Sequence, residues 1–107
     1  MGLVFIPASA DKELTKTLSS EQRKQCDAAL AGLKTQPLRG DLLHPKGLRE
    51  LKFSGKRVYF ITDGTDVLVL GAGKKNTQHA QITSYVLRIK QYLYMLKKLS
   101  KRHNDRF

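Results

Sequence analysis

The chain is 107 residues long, enough for one domain around a single two-layer core and too short for two. A hydrophobic fraction of 40% excludes a disordered polar chain, and a lone cysteine, Cys26, excludes an internal disulfide and suits a reducing cytoplasm. The formal net charge of +11 excludes cationic partners and selects polyanions: nucleic acid, an acidic protein or an anionic membrane surface.

Leu3–Ile6, "LVFI", is a continuous apolar run stopped by Pro7, the pattern of a short buried strand. The opening "MGLVFIPASA" has no charged n-region, so no signal peptide is expected. Ser9 or Asp11 is placed to cap a short helix reaching Leu18. Ser19 with Gln22 fits a capping box for a second helix, in which Cys26, Ala29, Leu30 and Leu33 recur at helical spacing and which Pro37 ends. The two form a helical hairpin with one apolar side, and Cys26 lies in that stripe as a small hydrophobe.

Leu38–Gly47, "LRGDLLHPKG", is punctuated by two glycines and Pro45 and reads as a loop. "LRELKF" puts Leu48, Glu50 and Lys52 on one face of a strand and Arg49, Leu51 and Phe53 on the other. "SG" turns the chain, "RVYFIT" returns it, "DGTD" turns it again, and "VLVLGAG" makes a nearly apolar third strand. Three antiparallel strands in a meander need a cover, which the N-terminal helices supply. From about Gln78 to Lys101, Ile82, Val86, Ile89, Leu93 and Leu96 form the stripe of one long helix, with Arg88, Lys90, Lys97, Lys98 and Lys101 mainly off it. The expected class is α+β: a single domain over residues 1–101, with 102–107 a frayed basic tail.

The charge is uneven. Residues 35–107 carry fifteen Lys or Arg against five Asp or Glu, whereas residues 11–34 are nearly balanced. Phosphate contacts convert such charge directly into affinity by counterion release, which favours nucleic acid among the polyanions. No apolar run approaches the roughly 18 residues of a membrane span, and no spacing of His44, His79, His103 and Cys26 suits a metal. "GAGKKNT" lacks the spacing of a phosphate loop. What remains is a group of cations on sheet elements. Lys52 and Arg57 lie on adjacent strands, and Lys74 and Lys75 close the next one. A meander can bring Lys52, Arg57 and Lys75 to one concave face, where like charges are costly unless an anion sits among them.

"GLRELKF-SGKRVYFI…VLVLGAGKKNTQ", Gly47 to Gln78, resembles the core of the RelE/ParE superfamily of bacterial toxins, nearest its HigB-like, addiction-module-killer branch. The resemblance covers about a third of the chain, and the order of elements outside it agrees. It implies the toxin of a type II toxin–antitoxin system, a ribosome-dependent endonuclease that cuts messenger RNA when a ribose 2′-hydroxyl attacks the adjacent phosphate. Such chemistry needs a base, cations for the developing charge and an acid for the leaving oxygen. The resemblance gives Lys52 the role of strand cation, Arg57 that of phosphate clamp and Lys75 that of the cation after the third strand. As imidazoles, His44 and His79 are the candidates for proton transfer, with His79 placed among the catalytic groups, and His44, Lys46, Arg49, Lys56 and Lys74 are expected to bind RNA phosphate. Glu50 stands where RelE has lysine, and Tyr85 is the nearest counterpart of that family's C-terminal tyrosine.

Two other readings stay open: a ParE-like inhibitor of DNA gyrase, and a catalytically inactive basic module on the same scaffold. The resemblance implies a cytoplasmic protein with no metal or small-molecule cofactor. Its implied partners are an acidic antitoxin, the ribosome and messenger RNA, with no membrane.

Overall fold

A computed structural model describes residues 2–105. In chain order the elements are β1 (Val4–Phe5), α1 (Ala8–Thr17), α2 (Ser20–Gly32), β2 (Asp41–His44), β3 (Leu48–Phe53), β4 (Lys56–Asp63) and β5 (Asp66–Lys74). A 3₁₀ turn (Lys75–Thr77) then leads into α3 (Gln78–Leu87) and α4 (Ile89–Asp105). The α+β class and the order of strand, helical hairpin, meander and C-terminal helix are as the sequence predicts.

The sheet is larger than a meander. Its order is β1-β5-β4-β3-β2, with β1 parallel to β5 and the other pairs antiparallel. β2 occupies the segment expected to be a loop. It is a four-residue edge strand, so it needs no alternation of buried residues, and the glycines and proline around it mask it. Gly47, which closes the β2–β3 turn, has φ 105° and its carbonyl accepts from Thr62 N at 3.0 Å. An added Cβ there would lie 2.5 Å from Thr62 O, so both conformation and space demand glycine.

Helices cover both faces, giving three layers rather than two. Leu14, Leu18, Cys26, Leu30 and Leu33 of the hairpin pack on Leu51, Val58, Phe60, Val67 and Val69. On the other face Tyr85, Ile89 and Leu96 meet Leu48, Tyr59, Ile61 and Leu68. Consecutive residues of β4 therefore enter opposite cores, and Val58, Tyr59, Phe60 and Ile61 are all fully buried. Each such side chain contributes about 1.5–3 kcal/mol of burial, so β4 is the stabilising centre of the fold.

α1 begins directly after Pro7, with Asp11 in its first turn, so neither Ser9 nor Asp11 is the N-cap. The capping box on α2 forms as predicted: Ser19 Oγ accepts from Gln22 N at 3.1 Å, and Gln22 Oε1 accepts from Ser19 N at 3.0 Å. Gln22 Nε2 also donates to Phe53 O, fixing the hairpin helix to the tip of β3.

The single C-terminal helix is two. Arg88, at φ −110° and ψ 13°, separates α3 from α4 with no glycine or proline to mark the break. Ile82, Val86, Ile89, Leu93 and Leu96 still reach one core across it. Residues 102–105, expected to fray, continue α4; Arg106 and Phe107 lie outside the described residues.

Candidate functional site

The β3–β4 turn is built by Ser54 and Gly55, both with positive φ (42° and 83°), the two-residue geometry that suits the twist of a hairpin. It sets Lys52 opposite Arg57 and Phe53 opposite Lys56. The β4–β5 register continues the two rows with Gly73 opposite Arg57 and Lys74 opposite Lys56. Lys75 N donates to Gly55 O at 2.9 Å, so the 3₁₀ turn closes on the same end of the sheet. Lys52, Lys56, Arg57, Lys74 and Lys75 are thus gathered at one end.

Strand alternation divides them between faces. Lys52 and Arg57 lie on the α3 side with Glu50 and Tyr59, whereas Lys56 and Lys74 lie on the side of α1 and α2. Lys56 Nζ donates to Thr17 O at the end of α1, at 3.1 Å. Lys75, exposed, belongs to neither strand face, so the cations share an end of the sheet rather than one concave surface.

Directly opposed like charges repel, and the protein offsets this with its own carboxylates. Asp41 and Glu50 are register partners in the row next to Lys52 and Arg57. Lys52 Nζ lies 2.9 Å from Asp41 Oδ2, but these side chains are 55% and 59% exposed, so the pair is worth at most about 1 kcal/mol and leaves Lys52 available. Arg57 is different. It is buried beside Glu50, itself 3% exposed, with Nε 4.0 Å from Glu50 Oε1. Gln78 Nε2 donates to Glu50 Oε2 at 2.8 Å from the first turn of α3, and Arg57 Nη1 donates to Lys56 O at 3.1 Å.

Two atoms in this cluster, Arg57 Nε and Tyr59 Oη, are buried with no hydrogen-bond partner among the described residues. Burial, reinforced by Glu50 and opposed by Arg57, pushes the Tyr59 phenol up to about 12. Tyr59 packs on Tyr85 with ring centroids 5.3 Å apart. The Tyr85 hydroxyl accepts from Gln81 Nε2 at 3.1 Å, and burial raises its pKa strongly. Tyr85 therefore sits in the core.

Beyond Leu68, no strand among the described residues lies on the outer edge of β5, and side chains satisfy its backbone instead. Glu13 Oε1 accepts from Ala72 N at 2.8 Å, and Gln81 Nε2 donates to Ala72 O at 2.9 Å. Gly73 leaves the room for this: a Cβ there would collide with Gln81 Oε1.

The remaining residues named from the sequence lie elsewhere. His44 is opposite Leu48, four residues along β3 from Lys52, or about 13 Å at the rise of a strand. Its Nδ1 accepts from Lys46 N at 3.1 Å within the β2–β3 turn, so neither residue reaches the cationic end. Arg49 projects to the face of α1 and α2, where Nη1 donates to Leu38 O and Gly40 O at 2.8 and 3.3 Å; it is a tie for the loop before β2. His79 is exposed on the first turn of α3, next in sequence to Gln78. Sequence reasoning missed Asp41, Tyr59 and Gln78. Alternation alone places Tyr59 on the face of Arg57, but the role of Asp41 depends on the hidden strand β2.

No family model and no curated protein matches the sequence. Among solved structures, the chain is similar to free E. coli toxin RelE, determined as an arginine-to-alanine double mutant: TM-score 0.64 at 22% identity, covering 80% of this chain and 94% of that one. The protein has a RelE-like α+β fold.

Proposed function

We propose that the protein is the toxin of a bacterial type II toxin–antitoxin pair, of the HigB-like kind, and that it cuts messenger RNA on the ribosome in the cytoplasm. The observation that carries this reading is the Lys52–Arg57 pair, set across one rung of the sheet at the end where Lys56, Lys74 and Lys75 also gather. A scissile phosphate at that rung meets two cations from one face, which counter the charge that develops as the 2′-hydroxyl attacks. Lys75 on the 3₁₀ turn and His79 on the first turn of α3, both exposed, are the groups that can exchange protons with the attacking and leaving oxygens. Glu50 neutralises Arg57 in the free protein, so RNA phosphate competes with it for the guanidinium. The net charge of +11 also suits an acidic antitoxin that masks the same end.

The buried Glu50–Arg57 pair favours a second reading, a basic RNA-binding module that does not cut. Incubating the purified protein with ribosomes and a defined messenger, then mapping 5′ ends, separates the two. New ends that vanish with Arg57→Ala and Lys52→Ala support the nuclease. Binding without new ends supports the module, and inhibition of gyrase supercoiling with no RNA cleavage overturns both.

A further inference from the structure

From Val67 to Asn104 every charged side chain is a lysine or arginine, and the run contains no Asp or Glu at all. Most of α4 lies within it. The inner face of α4, formed by Ile89, Tyr92, Leu93, Leu96 and Leu99, is committed to the core. Its outer face is consequently fixed towards solvent. On a helix of 3.6 residues per turn, Lys90, Lys97, Lys98 and Lys101 all fall within about 60° of Tyr94, and Tyr94 is 62% exposed. Lys98 Nζ stands 5.1 Å from the centroid of that ring.

A merely solvated helix face usually interleaves acids with its lysines at i, i+4, gaining small favourable pairs. α4 instead sets Lys97 against Lys101 and Lys98 against Arg102 at that spacing, both repulsive. The helix dipole accounts for cations in the last turn but opposes Lys90 in the first. The C-terminal part of the stripe is also separate from the sheet end that holds Lys52 and Arg57. Leu99 and Arg102 lie around Phe5, whose partner Leu68 is five residues along β5 from Gly73, about 16 Å at the rise of a strand.

We infer that the outer face of α4 is a second RNA-binding surface, on which Lys90, Lys97, Lys98 and Lys101 hold successive phosphates and Tyr94 stacks on an unpaired base. It rests on the RNA reading above but not on cleavage. The lysines span about 16 Å of helix, enough to follow several phosphates of a folded strand. An exposed ring among ammonium groups is the arrangement that sequence-tolerant RNA recognition uses. An acidic protein would be met by the lysines alone, whereas an unpaired base can also stack on the face of Tyr94 that Lys98 leaves open, which favours RNA.

The probe is a fluorescein-labelled RNA hairpin with an unpaired loop, titrated with the full chain by anisotropy across a range of KCl concentrations. Lys97→Gln/Lys98→Gln should weaken binding on the order of tenfold near 0.1 M salt and flatten the log-affinity against log-salt slope by about 2, one step per lost phosphate contact. Tyr94→Ala should weaken binding several-fold without changing the slope. Both variants change exposed side chains, and an unaltered thermal transition will show that they fold. Unchanged hairpin affinity in the double variant overturns the inference, and so does a loss confined to binding of polyglutamate, which would mark an acidic protein as the occupant. A protein that binds the hairpin through α4 but yields no new 5′ ends on ribosomes sinks the nuclease reading and leaves this one standing.

Discussion

Glu50 and Arg57 face each other from neighbouring strands, 4.0 Å apart between Oε1 and Nε, and both are almost wholly shielded from water. The charge at the end of the sheet is therefore of two kinds. Exposed cations are open to a partner, and one buried cation is held by an internal carboxylate that α3 reaches down to orient through Gln78.

Removing that carboxylate strands the guanidinium. Glu50→Gln preserves volume but leaves Arg57 uncompensated, and breaking a buried pair in this way costs about 3–5 kcal/mol. For a domain of this size that amounts to a fall in Tm on the order of 10–25 °C. Thermal unfolding followed by circular dichroism checks it. A shift under about 4 °C, equivalent to roughly 1 kcal/mol, would mean that Arg57 finds solvent without Glu50.

Lys52→Ala should separate function from stability. Its partner Asp41 is exposed, so the substitution should change unfolding free energy by less than about 1 kcal/mol, while abolishing messenger cleavage and weakening RNA binding. Chemical denaturation measures the first and 5′-end mapping the second. Full cleavage by a folded Lys52→Ala protein would remove this residue from the site.

The Tyr59 phenol, raised to about 12 by burial, predicts an alkaline weakness. The unfolded chain loses this proton near the ordinary tyrosine value of about 10. The stabilisation is thus complete below that pH and is lost as pH rises towards the folded value, since the native state then binds more protons than the unfolded one. Tyr85 acts in the same direction. Tyr59→Phe removes a buried hydroxyl that has no partner among the described residues, so it should be neutral or stabilising at pH 7 and should lessen the fall between about pH 10 and 12. Urea unfolding at several pH values tests both, and a Tyr59→Phe protein losing stability at pH 7 would indicate that the hydroxyl is bonded after all.

Gly73→Ala and Gln81→Ala should not be additive. The added methyl evicts the Gln81 amide from its bonds to Ala72 O, Glu13 and Tyr85, which should cost about 1–3 kcal/mol. With Gln81 already shortened, the glycine substitution should cost much less, and a coupling of at least about 0.5 kcal/mol in a double-mutant cycle is expected. Additive losses would place the collision elsewhere.

Much of this protein was legible in the order of its residues because the relevant forces are local. The Ser19–Gln22 capping box, the Ser54–Gly55 turn and the alternation through β3 act over two to four residues, and from them follow the element order, the α+β class and the facing of Lys52 and Arg57. Other features depend on partners distant along the chain. Only packing made a strand of Asp41–His44, since an edge strand takes its hydrogen bonds from a neighbour and needs no pattern of its own. Only the tertiary structure shows α3 divided from α4 at Arg88, where no glycine or proline marks the break. The tertiary structure also decided which cations are exposed and which is neutralised. Lys52 and Arg57 look alike in the sequence, but one stands in water while the other is buried against Glu50, because burial depends on what α3 covers and charge type alone cannot specify it.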